Sequence, residues 1–278
     1  MTTPVPTLDH VVINVRDRLD EGEDVYRRLG FTLTPRGFHT LGSMNHLAVF
    51  GTEYLELIAV PPTGGPRAEL LTQPVGLNGL VFGMEDADAT YAALVANGVD
   101  VGPPNNFSRP VDLPGGPRDA AFRTVRLPSS TTEAGRLYFC EHKTRDLVWR
   151  DEWRHHANGV IGIERAIIAA AEPAALGALF ARMFGAETVK QRADALVLAV
   201  GLSRFEIVKP AFLAGKFGDA APTGDGRAAF MAALTLRTRS LTAAADALRA
   251  GGIPVLRGDD DIVVPASAAF GVTLEFRQ

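Results

Sequence analysis

At 278 residues, with 46% hydrophobic and 22% charged residues, the chain has room for two ordinary domains and the composition of a folded protein. A net charge of −4 gives no electrostatic basis for binding nucleic acid or an anionic membrane. The single cysteine excludes an internal disulfide, and no apolar run reaches the ~18–20 residues of a membrane span.

The first element, "LDHVVINV" (8–15), alternates as a half-buried strand does. Alternation puts Asp9, Val11, Ile13 and Val15 on one face and Leu8, His10, Val12 and Asn14 on the other. A helical stretch "DEGEDVYRRLG" follows, then the strands "FTLTP", "MNHLAVFG" and "EYLELIAV". The same order of strand, helix and three strands returns as "NGLVFGM", "DADATYAALVANG", "VDVG", "RDAAFRTVRLP" and "GRLYFCEH". A third unit reads "GIERAIIAA", "EPAALGALFARMFGA", "ETVKQ", "ALVLAVG" and "RFEIVKP". The fourth reads "AAFMAALTLRT", "SLTAAADALRAGG", "IPVLRG", "DIVVPAS" and "GVTLEFR".

Helix signals agree with the apolar spacing. Ser240 is placed to cap a helix whose stripe is Leu241, Ala244 and Leu248 and whose end is marked by Gly251. Asp86 or Asp88 caps the helix that stops at Gly98. The loop 102–119 is long for a connection inside a compact unit, and Phe107 and Arg109 in it are expected to cover a site. A connection is expected at 150–159, where the composition changes. All six histidines, both tryptophans, all four tyrosines and Cys140 precede residue 157, so an active site belongs in the first half.

Four tandem βαβββ units resemble the vicinal oxygen chelate superfamily, the fold of glyoxalase I, bleomycin-resistance proteins and extradiol dioxygenases. "LDHVVINV", "GSMNHLAVFGTEYLELI" and "FCEHKTRDLVWRDEWRHHANG" look, more narrowly, like a glyoxalase-like family. The resemblance implies an α+β fold of two paired-unit, cup-like curved sheets. Residues 1–150 are expected to form the first domain, with units at 8–60 and 77–143, and 159–278 a degenerate second, with units at 159–210 and 227–278. It also implies a divalent metal (Zn, Fe, Mn or Ni) held by the first and fourth strands of each unit.

Alternation turns His10 and Glu56 toward the cup, and these match the first-unit ligand positions. Alignment of the second unit puts Gly79 at the place of the other histidine and Cys140 opposite Glu56, with His142 on the same face as Cys140. The expected ligand set is therefore His10, Glu56 and His142. Glu141, His46 or His39 would move a proton, Asn45 would orient the substrate, and Arg109, Arg118 or Arg123 would meet an acidic group on it.

Two functions follow from this reading. One is a metal-dependent glyoxalase- or dioxygenase-type enzyme acting on a small oxygenated substrate; the other is a metal-free protein that sequesters a small molecule. A homodimer is compatible with either. The opening "MTTPVPTLDH" lacks the basic-then-apolar order of a secretory signal, so a cytoplasmic location is expected.

Overall fold

A computed structural model describes residues 3–278; residues 1 and 2 of the expected first domain lie outside the described residues. In the first unit β1 (Leu8–Asn14) is followed by α1 (Leu19–Arg28), β2 (Gly37–Phe38), β3 (Met44–Val49) and β4 (Tyr54–Ala59). A short helix α2 (Glu69–Thr72) leads to β5 (Gly76–Gly83), α3 (Ala87–Ala96), β6 (Asn105–Val111), β7 (Arg118–Arg126) and β8 (Arg136–His142). The third unit is β9 (Val160–Ala170), α4 (Pro173–Phe184), β10 (Val189–Arg192), β11 (Ala195–Val200) and β12 (Ser203–Val208). After α5 (Pro210–Phe217) come β13 (Ala229–Thr238), α6 (Leu241–Ala250), β14 (Leu256–Arg257), β15 (Asp261–Val264) and β16 (Thr273–Arg277).

Two eight-stranded sheets result, ordered β2-β3-β4-β1-β5-β8-β7-β6 and β10-β11-β12-β9-β13-β16-β15-β14. The identical order records the duplication. Within each unit the first strand pairs parallel with the fourth, and the first strands of paired units meet antiparallel at the centre. Hydrogen bonds between Thr40 and Ser108 link the β2 end to edge strand β6 and bring the first sheet close to a closed barrel.

The caps follow the sequence signals. Asp86 accepts from the backbone N–H groups of Asp88 and Ala89, and Ser240 from that of Ala243. Three expectations need correction. "FTLTP" and "VDVG" form no strand, and β2 is only Gly37–Phe38. The supposed loop 102–119 contains β6, which pairs with β7 along its whole length. Pro110 is tolerated there because β6 is an edge strand, where the missing N–H costs no ladder bond.

One apolar core runs through both halves. It joins the helix-covered backs of the two sheets, from Val11, Ile13 and Leu55 to Ile168, Leu234 and Phe276. At its centre Phe82 of β5 meets Phe184 of α4 at 4.7 Å between ring centroids and Phe205 of β12 at 5.6 Å. Two smaller clusters occupy the concave faces, one per sheet. The cups therefore lie on opposite outer sides of a shared middle.

Candidate active site

β1 carries a bulge at its start. Leu8 pairs with Phe82 and His10 with Val81, which leaves Asp9 as an extra residue. The bulge breaks the alternation that the sequence suggested. Leu8 joins the back core with Val11 and Ile13, and Asp9 comes to the side chain of His10, whose Nδ1 is 2.5 Å from Asp9 Oδ1. His142 Nε2 reaches the same oxygen at 3.0 Å. Burial alone would raise the pKa of Asp9, but the two imidazoles, His142 foremost, outweigh it and hold the carboxyl far below its ordinary range. Asp9 is thus an anion that accepts from both rings.

The other edge of His10 opens into the cup. Nε2 is 3.1 Å from the Tyr138 hydroxyl and 3.7 Å from Glu56 Oε2, and the ring stacks on Tyr54 at 4.4 Å. With the Nδ1 proton directed at Asp9, the Tyr138 hydroxyl donates to Nε2. Asn45 Nδ2 donates to Glu56 Oε1 at 2.7 Å. Burial opposes ionisation of Glu56, yet His10, His39, Asn45 and Arg136 bring its pKa below the usual value. His39 is a neutral imidazole, its pKa lowered to about 4 by burial against the attraction of Glu56.

The cup is a cavity of about 30 Å³ whose lining includes His10, His39, Asn45, Glu56, Tyr138 and Arg109. Leu41, Arg67, Arg126, Arg136 and Tyr138 line both it and an adjoining recess of about 350 Å³, which makes the recess its vestibule. Phe107 stacks on Phe122 at 4.9 Å and meets His39 edge-on, forming one wall.

The structure brings together His10, Glu56, Asn45, Phe107 and Arg109. His142 does not join them. It lies across His10 from Glu56, and the two ring nitrogens of one imidazole point apart, so one ion cannot be held by His10, Glu56 and His142 together. Glu141 faces away from the cup, where it accepts from the Ala87 backbone N–H at the start of α3 and pairs with Lys143. His46 is likewise on the helix side, with Nδ1 on the Thr34 carbonyl and Nε2 3.2 Å from Glu23. Neither is in reach of a ligand in the cup. Arg118 and Arg123 pair with Asp146 and Asp88 on the outside.

Sequence reasoning missed Asp9, Tyr138 and Arg136. The sheet register explains Tyr138. His10 is opposite Tyr54 and Gly79 opposite Arg136, so the second-unit counterpart of Glu56 is Tyr138 and not Cys140.

A metal at the superfamily position would face His10, Glu56, Gly79 and Tyr138. Two of those four offer an imidazole or carboxylate, fewer than the three protein ligands of an open catalytic site. Both His10 nitrogens are engaged, and a Cβ at residue 79 would meet Val12 Cβ at 2.9 Å, so the space of the missing ligand is filled. These residues do not fit a metal in the cup. Among the described residues, a different set converges. Asp9, Cys140 and His142 offer ligand atoms within 4.8 Å of one another, behind His10.

The sequence model of a family described as a glyoxalase-like domain matches residues 8–184. The chain belongs to this glyoxalase-like family. The match ends where α4 ends, and α4 of the third unit packs against the back of the first sheet through Phe82. A search of curated proteins gives no match. Among solved structures, a hypothetical protein from Staphylococcus aureus is similar over 98% of this chain and 99% of its own, at 13% identity and a TM-score of 0.66. A mutant of 4-hydroxymandelate synthase from Streptomyces coelicolor is similar over 99% and 93%, at 12% identity and a TM-score of 0.64. A xylose isomerase-like TIM barrel/4-hydroxyphenylpyruvate dioxygenase fusion protein is similar over 100% of this chain and 49% of its own, at 13% identity and a TM-score of 0.62. These likenesses show that the glyoxalase-like chain shares the vicinal oxygen chelate fold along its length. Among the described residues no helix is long and apolar enough to cross a membrane.

Proposed function

We propose that the N-terminal cup binds a small oxygenated molecule and moves a proton on the carbon next to its carbonyl group, as an isomerase or lyase does. The observation that carries this reading is the posture of His10. Asp9 holds Nδ1, and Nε2 looks into a buried cup beside a phenol and a carboxylate.

In the proposed step the substrate C–H proton passes to His10 Nε2. The C–H electron pair becomes the new carbon–carbon double bond, and the carbonyl π pair moves to oxygen. The imidazolium so formed lies between Asp9 and Glu56, whose negative charges favour it. Tyr138, released from Nε2, turns its hydroxyl to the enolate oxygen and donates there. Return of the proton to the same carbon gives exchange. Where that carbon bears a hydroxyl, the O–H proton passes to the enolate oxygen and the O–H electron pair forms the new carbonyl. The carbon–carbon π pair then takes the proton from His10 at the former carbonyl carbon, which is isomerisation. A divalent metal has its place in this reading at Asp9, Cys140 and His142, whose carboxylate, thiol and imidazole suit zinc. Bound there, it would fix the orientation of Asp9 behind His10, and its positive charge would offset part of the carboxylate's support of the imidazolium.

The test is α-proton exchange of pyruvate, 2-oxobutyrate and hydroxyacetone in D₂O, followed by proton NMR. Exchange by the wild type that disappears in His10→Ala, with the fold retained, supports the proposal. No exchange with any of them, while a ligand still binds in the cup, leaves sequestration as the function. That second reading is favoured by Gly79 and Tyr138 standing at two of the four superfamily ligand positions.

A further inference from the structure

Four guanidinium groups, those of Arg67, Arg109, Arg126 and Arg136, line the cup, against one carboxylate, Glu56, among the described residues that line it. Two of the four have partners for their charge or face. Arg67 pairs with Glu69 at 2.5 Å, and Arg126 lies over the Tyr138 ring at 4.6 Å with Nε on Thr124. The other two do not.

Arg109 on β6 is 3% exposed, and its Nη2 has no hydrogen-bond partner among the described residues. It is admitted by Gly37, where a Cβ would meet Arg109 Cδ at 3.0 Å and Nη1 at 3.2 Å. Arg136 on β8 is anchored by one edge only. Its Nε donates to the carbonyl and side-chain oxygens of Asn78, the residue that a second bulge leaves unpaired in β5. Nη1 and Nη2 of Arg136 are fully buried and have no partner among the described residues. A buried, unpaired guanidinium costs stability, and two of them facing one cavity mark a place for a group that supplies the missing acceptors. Burial and the nearby Arg67 and Arg126 lower the Arg136 pKa to about 10, which still leaves it charged at neutral pH.

We infer that Arg109 and Arg136 form an oxyanion-binding subsite, so that the ligand of the cup is an acid, carrying a carboxylate or a phosphate. Planar guanidinium groups with free Nη atoms match such oxygens geometrically as well as electrostatically. The vestibule supplies the volume that the cup alone lacks, and Arg136 lines both. This deepens the proposed function by naming the substrate class. It rests on the cup being the ligand site, and not on proton transfer by His10.

The test is calorimetric binding of malonate, inorganic phosphate and neutral malonamide to the full chain, the Arg109→Met and Arg136→Met variants, and Arg118→Met as an outside control. Malonate or phosphate should bind the wild type and the control, at least tenfold more weakly each variant, and malonamide should not bind. Malonate binding identifies a carboxylic acid, and phosphate binding a phosphate ester; either supports the subsite. Without ligand, both Met variants should melt at or above the wild-type temperature, because an uncompensated buried charge has been removed. Malonamide binding as tightly as malonate, unchanged affinity in the variants, failure of the folded wild type to bind either anion at millimolar concentration, or a large fall in variant melting temperature would each overturn the inference. His10→Ala separates the two readings, since it should lose exchange and keep anion binding.

Discussion

Asp9 and His10 are neighbours in sequence that act on one another in space, with Oδ1 of the first 2.5 Å from Nδ1 of the second. Adjacent residues of a regular strand point to opposite faces, so the bulge at Asp9 is what makes the pair. Asp9→Asn should therefore slow α-proton exchange by roughly 10²-fold or more while leaving malonate affinity within about twofold. Equal losses of exchange and binding would mean that Asp9 shapes the cup rather than the tautomer of His10.

Gly79 is where the superfamily pattern would place a histidine, and its missing side chain is what lets Val12 close in. Gly79→Ala should cost about 1–3 kcal/mol by overpacking, and Val12→Ala in the same chain should recover part of that loss. Chemical denaturation of the two single variants and the double variant measures the coupling. Additive losses would show that the two positions do not compete for the same space.

Zinc is expected at Asp9, Cys140 and His142, which also line a cavity of about 910 Å³ that gives access from outside the cup. Burial raises the Cys140 thiol pKa well above its ordinary value, so a metal there must displace a proton, and its affinity should rise with pH. Zinc added to chelator-treated protein should raise the melting temperature of the wild type and of Glu56→Ala, but not of Cys140→Ser. The opposite pattern would move the metal into the cup.

In the second half Glu275 accepts from Arg165 at 2.5 Å, from Lys216 at 2.7 Å and from Thr235. Burial alone would raise its pKa, but Lys216, Thr235 and Arg165 lower it to about 2 from 4.5. A carboxyl with a depressed folded-state pKa adds stability above its unfolded value and loses it as pH falls toward the folded one. Glu275→Gln should thus cost about 2–4 kcal/mol at neutral pH, with the gap to wild type narrowing between pH 4.5 and about 2. A gap that stays constant with pH would remove the charge from the account.

Gly251 ends α6, and a Cβ there would stand 1.9 Å from the Arg28 carbonyl oxygen at the end of α1. Arg28 Nε also donates to the Gly251 carbonyl at 2.8 Å, joining the two halves. Gly251→Ala should destabilise the whole chain in one cooperative transition, because the apolar core is continuous across the halves. Two separate melting steps would show that the halves fold independently.

Much of this was legible in the residues. Period-two strands, the capping residues Asp86 and Ser240, and the fourfold repeat fixed the unit order, and parity turned His10 and Glu56 inward. What escaped depends on irregularity. Asp9 and Asn78 sit in bulges, and a bulge is a choice of pairing that a single strand's sequence does not record. Tyr138 was missed because matching the fourth strands by appearance is two residues away from matching them by their parallel partners. β6 was hidden by Asn105, Asn106 and Pro110, residues that an edge strand accepts and an isolated pattern reads as loop. Arg136 was hidden because only the assembled cup shows which arginines lack partners.

The second cup holds the first one's charges turned around. Arg165 occupies the place of His10, and its guanidinium joins Glu206 at 3.0 Å and Glu275 at 2.5 Å, which stand where Glu56 and Tyr138 stand in the first half. The duplicate thus carries a permanent cation of its own, tethered to the backbone and clasped by two acids. Lys216 and Arg204 hold the outer oxygens of the same two acids, so the second cup is a closed ion-pair network. Two descendants of one repeat have in this way settled on opposite electrostatic solutions.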